Sequence, residues 1–220
     1  MYSIGIMTTP SVDIHKETRQ YVATAFSSPN LRYVSLSAKD ERLRSLAYDT
    51  WNDPVALSGL DGTVAKPISQ EWLDDLNTKL EKGFLHVVIT LPPKDGESIG
   101  TVIGDVSLSS EVSLRTVISR RSLLGVNIRR EYQGKGYGRE ATNWALDWGF
   151  SQAGLHTIAL SVMSFNEPAI HLYNSIGFVQ EGCAREARYL NRKWYDILHF
   201  SMTENEWEKL RGIQHGRQSE

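Results

Sequence analysis

The chain has 220 residues, 40% of them hydrophobic, and a formal net charge of -2 at pH 7. This length favours one domain with a substantial core, and the near-neutral charge gives no reason to expect nucleic-acid or membrane binding. A single cysteine, Cys183, excludes an intrachain disulfide and is typical of a reducing compartment. Without a signal-peptide pattern or an apolar run of about 20 residues, we expect a cytoplasmic protein.

Apolar periodicity and turn residues divide the chain into elements, and Ser37, Ser69 and Asn166 stand where a side chain can cap a helix. The weakly patterned residues 1–30 are interpreted as an N-terminal extension, with a short strand at 2–7 and a short helix at 18–26. In chain order, the further predicted elements are a strand at 31–36, helices at 38–51 and 70–82, strands at 84–91, 98–107 and 123–128, a helix at 140–150, a strand at 156–163, a helix at 167–176, strands from 178 and at 194–202, and a helix at 204–210.

Three consecutive strands in the middle of this order indicate a mixed sheet, because strands joined by short turns must be antiparallel. The predicted fold class is therefore α+β rather than doubly wound α/β. We place one domain at 31–211, between the extension 1–30 and a polar tail at 212–220 for which disorder is expected.

A glycine-rich stretch between the strand at 123–128 and the helix at 140–150 is the most informative part of the sequence. Glycine permits positive φ and a close approach of backbone to a ligand. The N–H groups at the following helix start lack intrahelical partners and favour an anion. The stretch therefore predicts a phosphate or pyrophosphate site, with two cations beside it. Its residues are Gln133, Gly134, Lys135, Gly136, Tyr137, Gly138 and Arg139.

Neither of two common nucleotide patterns fits this stretch. Gly136 to Ala141 matches G-x-G-x-x-A formally, but residues 129–132 separate it from the strand and no acidic residue follows the next strand. The Walker pattern lacks its first glycine, and Tyr137 stands where Ser or Thr is required.

Two motifs resemble the GCN5-related N-acetyltransferase (GNAT) superfamily. Gln133, Gly136 and Gly138 match the pyrophosphate signature [R/Q]-x-x-G-x-[G/A], and residues 166–178 match N-x-x-A-x-x-L-Y-x-x-x-G-F. The segment at 191–196, followed by Glu206 and Trp207, resembles the subgroup that acetylates ribosomal-protein N-termini (RimJ/RimL-like). The resemblance covers about residues 31–210.

This resemblance implies a mixed sheet of about seven strands, splayed in the middle and flanked by helices on both faces. It also implies acetyl-CoA as the donor, a primary amine as the acceptor, and direct attack in a ternary complex. Tyr173 would protonate the leaving thiolate, and the Val126 N–H would polarise the carbonyl. The implied cofactor-binding residues are Val126, Ile128, Gln133, Gly134, Lys135, Gly136, Tyr137, Gly138, Arg139, Asn166 and Tyr173.

The resemblance does not identify the general base in this chain. Many members of the similar subgroup carry a glutamate where this chain has Leu123, which cannot accept a proton. Glu111, Asp105 or a water held by backbone are the alternatives, and we expect a water relay. The histidines have no metal-ligand spacing, so they are interpreted as structural and no metal is expected; the four considered are His86, His156, His171 and His199.

Other questions stay open at this point. The acceptor could be a protein N-terminus, a polyamine, an amino sugar or a drug-like amine, in a pocket shaped by residues 1–30 and 57–67. The alternative to an enzyme is a non-catalytic acyl-CoA-binding protein on the same fold. A homodimer is an open expectation, whereas nucleic-acid and membrane partners are not expected.

Overall fold

The computed structural model describes residues 25–35, 37, 40–51, 67–109 and 120–213. Within these ranges the chain alternates between strands and helices in the predicted order, and a short 3₁₀ helix lies at Arg130–Tyr132. The elements are β1 (Arg32–Val34), α1 (Glu41–Trp51), α2 (Gln70–Glu81), β2 (Leu85–Thr90), β3 (Val102–Ser109), β4 (Arg121–Ile128), α3 (Tyr137–Ser151), β5 (Thr157–Met163), α4 (Glu167–Ile176), β6 (Val179–Leu190), β7 (Lys193–Thr203) and α5 (Glu204–Arg211).

The strands form one seven-stranded sheet in the order β1-β2-β3-β4-β5-β7-β6. Neighbouring strands are antiparallel except β4 and β5, which are parallel. β4 pairs with β5 only over residues 121–123, opposite 157–159. By contrast, β3 follows β4 as far as Ile128, and β7 follows β5 as far as Met163. The central strands therefore separate after Leu123, and the predicted splayed sheet and α+β class are confirmed.

Helices cover both faces of the sheet. Alternation along β2 places Val87 and Ile89 on one face and Val88 on the other. Val87 and Ile89 belong to the larger core, and we call this side the α3 face. Val88 packs with Leu43 and Leu46 of α1 in a smaller core, on what we call the α1 face. The helices contribute to the larger core through buried residues that include Leu146 of α3, Ile176 of α4 and Trp207 of α5.

Three element boundaries differ from prediction by three residues or more. α1 begins at Glu41 rather than 38, because the Asp40 carboxylate accepts a hydrogen bond from the Arg42 N–H at 2.9 Å and caps the first turn. β3 covers Val102–Ser109 rather than 98–107, and just before it a Cβ added at Gly100 would collide with the Leu91 carbonyl oxygen. α3 begins at Tyr137 rather than 140, and its 15 residues tolerate an early glycine that costs about 1 kcal/mol.

Several predicted segments lie outside the described residues: the strand at 2–7, most of the helix at 18–26, most of the loop at 57–67 and most of the tail at 212–220. Among the helices that are described, none is long and apolar enough to cross a membrane.

Candidate functional site

The cleft between β4 and β5 is lined by backbone groups of β4. The Arg129 N–H donates to the Ile103 carbonyl of β3 at 2.8 Å, which continues the antiparallel register of the two strands. Successive residues of a strand direct their N–H and C=O groups to opposite sides. The N–H and C=O groups of Val126 and Ile128 therefore point away from β3 and into the cleft. The sequence predicted that these two residues bind the cofactor.

Gln133 connects the glycine-rich stretch to the end of β4. Its side-chain Nε2 donates to the Ile128 carbonyl oxygen at 2.8 Å. The Ile128 carbonyl is therefore already bonded, and its N–H remains as the group that faces the cleft. Gln133 thus holds the loop against the strand, a role that the sequence did not indicate.

Two of the three loop glycines have a conformation that other residues rarely adopt. Gly134 has φ +73° and Gly136 has φ +87°, and a methyl group added to either would contact nothing within 4 Å. Positive φ, rather than crowding, is what requires glycine there. Gly138 differs, because it is helical and an added methyl group would lie 3.7 Å from Leu172 Cδ2, an ordinary contact.

The N-terminus of α3 opens onto this loop. Gly136 is the N-cap residue and provides no side-chain cap, and the first intrahelical bond runs from the Glu140 N–H to the Gly136 carbonyl at 3.1 Å. The N–H groups of Tyr137, Gly138 and Arg139 precede that bond and have no partner within the helix. They form the place where an anion would be most strongly stabilised.

The two cations beside the loop are held differently. The Lys135 ammonium lies 5.2 Å from the centre of the Tyr132 ring, which leaves it beside the loop. The Arg139 Nη2 donates to Ser175 Oγ at 2.5 Å, and Ser175 Oγ donates to the Leu172 carbonyl at 2.7 Å. Arg139 therefore connects α3 to α4 at the border of the anion site.

Asn166 caps α4 as predicted. Its Oδ1 accepts a hydrogen bond from the Ala169 N–H at 3.3 Å, Pro168 lies in the first turn, and Gly177 ends the helix with φ +110°. These features position the next functional candidate on α4.

Tyr173 lies on α4, where its ring packs against the larger core and meets Phe178 edge to face at 5.6 Å. Burial raises the pKa of Tyr173 to about 12. Its phenol therefore stays protonated across the physiological range and can donate a proton or a hydrogen bond.

The candidate bases lie in different surroundings. Asp105, on β3, is buried, and its two carboxylate oxygens accept from Asn127 Nδ2 at 3.2 and 3.3 Å. The His86 Nε2 is 3.7 Å from the Asp105 Oδ2. Glu111 lies within 110–119, outside the described residues, so its role stays a prediction.

The sequence did not indicate a polar pair beside the cleft. Ser161 of β5 and His199 of β7 are opposite each other, and Ser161 Oγ lies 3.0 Å from His199 Nδ1. In the sequence, the alternation of apolar and polar residues along 157–163 already places the Ser161 side chain on the face away from its apolar neighbours in the strand. The neighbour of β5 could not be read from chain order, because β6 precedes β7 in sequence but lies outside it in the sheet.

No group of three or more His, Cys, Asp or Glu side chains in the described ranges is arranged to hold a metal ion. The site therefore consists of a strand edge, a helix N-terminus and a few polar side chains.

A family model described as the acetyltransferase (GNAT) family matches residues 45–178. Among curated proteins, a spermidine N(1)-acetyltransferase from Vibrio cholerae is 36% identical over 90 residues, covering 41% of this chain and 52% of the relative. A putative ribosomal N-acetyltransferase, YdaF from Bacillus subtilis, is 30% identical over 106 residues, covering 47% and 58%. The matched segments thus span little more than half the length of these relatives.

Solved structures show similarity over a greater length. Mutant forms of the spermidine/spermine N-acetyltransferase SpeG from Vibrio cholerae match with a TM-score of 0.65 and 26% identity, covering 84% of this chain and 99% of that one. The Vibrio cholerae spermidine N-acetyltransferase in complex with CoA and spermine matches with a TM-score of 0.64 and 26% identity, covering 82% and 99%.

Proposed function

The chain belongs to the acetyltransferase (GNAT) family, and from that premise we propose that it transfers the acetyl group of acetyl-CoA to a primary amine. The family predicted from the two sequence motifs is confirmed. The observation that carries the proposal is the order of three features along the chain, in which the open edge of β4 leads into the glycine loop and then into the N-terminus of α3.

The residues along this line fit acetyl-CoA. The α3 N-terminus would stabilise the pyrophosphate, by roughly 0.3–1 kcal/mol from the helix dipole alone, and Lys135 adds a nearby positive charge. Val126 and Ile128 would hold the pantetheine arm as an added strand lies against a sheet edge. Acetyl-CoA supplies the thioester whose carbon–sulfur bond breaks.

Val126 and Tyr173 would act on two different atoms of the thioester, the carbonyl oxygen and the sulfur. The Val126 N–H would donate to the carbonyl oxygen as negative charge develops there. Because the pKa of Tyr173 is about 12 and a thiol titrates near 8.5, full proton transfer to a thiolate is uphill by roughly 5 kcal/mol. Tyr173 therefore acts first as a hydrogen-bond donor that stabilises the departing sulfur.

The acceptor must lose a proton to attack. A lysine-like amine, with a pKa near 10.4, requires roughly 4–5 kcal/mol for this at pH 7, whereas a peptide α-amine near 8 requires roughly 1–1.5 kcal/mol. Alignment of the amine with the thioester can contribute about 7–11 kcal/mol. A base is therefore more important for an alkylamine than for a peptide N-terminus.

A polyamine is the acceptor that we propose first. Spermidine acetyltransferases occur both among the curated relatives, at 36% and 30% identity, and among the solved structures. A peptide N-terminus is the second candidate, supported by the putative ribosomal N-acetyltransferase from Bacillus subtilis and by the segment at 191–196.

A thiol-release screen with acetyl-CoA tests this function. Spermidine, spermine, an amino sugar and peptides beginning with Ser, Ala or Met should each be offered at several concentrations, with acetylated products identified by mass spectrometry. We expect release that requires an amine, fastest with spermidine. Acetyl-CoA binding without release for every amine would support the acyl-CoA-binding alternative.

A further inference from the structure

Ser161 and His199 form an exposed hydrogen-bonded pair on the α1 face of the sheet. Their side chains are 3.0 Å apart from Oγ to Nδ1, and both are exposed. Leu160 and Val162 belong to the core on the α3 face. Since strand residues alternate, Ser161 points to the opposite face.

Ser161 lies on β5, one wall of the cleft, and His199 lies on β7, one strand further from it. The last residues that join β4 to β5 are Leu123 and Ala159. Ser161 follows Ala159 by two residues on the same face, roughly 7 Å further along the strand. Val126 follows Leu123 by three residues on the other wall. Ser161 and Val126 therefore lie at similar depth, where the thioester carbonyl would be held.

Tyr173 lies on the other side of the sheet. It packs against the core on the α3 face, whereas the pair lies on the α1 face. A planar thioester held in the cleft would present one face to each. The amine could then attack from the side of His199 while the sulfur departs toward Tyr173.

We propose that His199 is the catalytic base that takes the proton of the acceptor amine, and that Ser161 is a positioning residue that holds the imidazole. This inference rests on the proposed acetyl transfer and names a residue that sequence reasoning had interpreted as structural. The Ser161 Oγ lies 3.0 Å from the His199 Nδ1. In the proposed arrangement the Nδ1–H donates to Ser161, which leaves the lone pair of the neutral imidazole at Nε2, available to the amine.

The step balances in atoms and charge. The amine nitrogen bonds to the carbonyl carbon, the carbon–sulfur bond breaks, and the sulfur departs as thiolate stabilised by Tyr173. One N–H proton passes from the nitrogen to His199 Nε2, which becomes imidazolium. The thiolate takes a proton from solvent, and His199 returns its proton to solvent.

Charged residues of β4 and β6 lie on the same face as His199. Glu181 of β6 is one of them, and its Oε2 accepts from Arg121 Nη2 of β4 at 3.1 Å. A hydrogen bond from Ser201, with further contributions from Arg121 and His199, lowers the pKa of Glu181 below its ordinary value. Glu181 is therefore ionised at neutral pH and places a negative charge on this face.

The pH dependence of kcat/KM for spermidine tests the proposal. We expect His199→Gln to reduce kcat/KM at least 100-fold, in the range for acid–base catalysis. The variant should keep only the rise with pH that deprotonation of the acceptor amine causes, while acetyl-CoA binding measured by calorimetry stays within about twofold. His156→Gln is the matched control, because His156 is also exposed near a carboxylate, 3.6 Å from Glu204, at the other end of β5.

Variants of Ser161 separate positioning from mere packing. Ser161→Ala should reduce kcat by about tenfold and change the pH profile of kcat/KM, because the side chain that orients the imidazole is lost. Ser161→Thr, which keeps the hydroxyl, should restore both. A His199→Gln enzyme with wild-type rate and pH profile would overturn the inference alone. Absence of turnover by the wild-type chain would instead overturn the proposed function, and the inference with it.

Discussion

Gln133 donates its side-chain amide proton to the carbonyl oxygen of Ile128, 2.8 Å away, and so joins the glycine loop to the end of β4. Gln133→Ala removes a neutral hydrogen bond worth about 1 kcal/mol, so we expect acetyl-CoA to bind roughly 5–10-fold more weakly by calorimetry. The exposed Gln152, at the C-cap of α3, is a suitable control, and Gln152→Ala should bind normally. Unchanged affinity in Gln133→Ala would show that the loop holds its position without this bond.

The loop glycines should respond differently to alanine. Gly136 has φ +87°, where a Cβ costs about 1–2 kcal/mol, so Gly136→Ala should lower the unfolding free energy and weaken acetyl-CoA binding. Gly138 is helical with room for a methyl group, so Gly138→Ala should be neutral or stabilising by up to about 1 kcal/mol. Urea titrations of both variants provide the comparison, and equal losses would contradict the assignment of Gly136 as the strained position.

Tyr173→Phe should separate chemistry from binding. It removes the phenol that we propose as the donor to the departing sulfur, so kcat should fall at least tenfold while the acetyl-CoA dissociation constant changes little. Because burial raises the pKa of Tyr173 to about 12, its ionisation should produce no decline in the wild-type rate between pH 7 and 10. A wild-type rate that declines in that range, with the decline absent from Tyr173→Phe, would mean that the phenol ionises at lower pH.

Residues 25–30 are docked on α3 through Glu140, which accepts from Ser28 Oγ at 2.6 Å and from the Asn30 N–H at 2.7 Å. Burial alone would raise the pKa of Glu140, but the hydrogen bonds from Ser28, Asn30 and Leu31 outweigh it and lower the pKa. Its contribution to stability is therefore present above the ordinary glutamate pKa of about 4.3 and is lost as pH falls below it.

Glu140→Gln should accordingly reduce the unfolding free energy at pH 7 and reduce its decline between pH 5 and 3. Chemical denaturation at several pH values measures both quantities. Glu71→Gln, an exposed first-turn position of α2, is the control that should change neither by more than about 0.5 kcal/mol. If the unfolding free energy of Glu140→Gln had the same pH dependence as that of the wild type, Glu140 would not contribute to the loss of stability in acid.

Much of the fold could be predicted because its signals are local. Asn166 and Gly177 mark the two ends of α4 in the sequence as they do in the structure, and the order of strands and helices follows from periodicity. The N-terminus of α3 was placed three residues late, because Gly138 suggested a loop where the helix tolerates it.

The glycine loop and its place between β4 and α3 could also be predicted, since they are encoded in one contiguous stretch. The pairing of Ser161 with His199 could not. His199 and Ser161 are 38 residues apart in sequence, and only the pairing of β5 with β7 brings them together. The bond between Gln133 and Ile128 was missed for a similar reason, because the path of the loop decides which carbonyl a side chain can reach.

The most direct test of the central claim is the initial-velocity pattern with acetyl-CoA and spermidine as varied substrates. Direct attack in a ternary complex predicts double-reciprocal lines that intersect. Parallel lines, the pattern of a ping-pong reaction through an acyl-enzyme, would contradict direct transfer, and no acetylated product with any amine would contradict acetyl transfer itself.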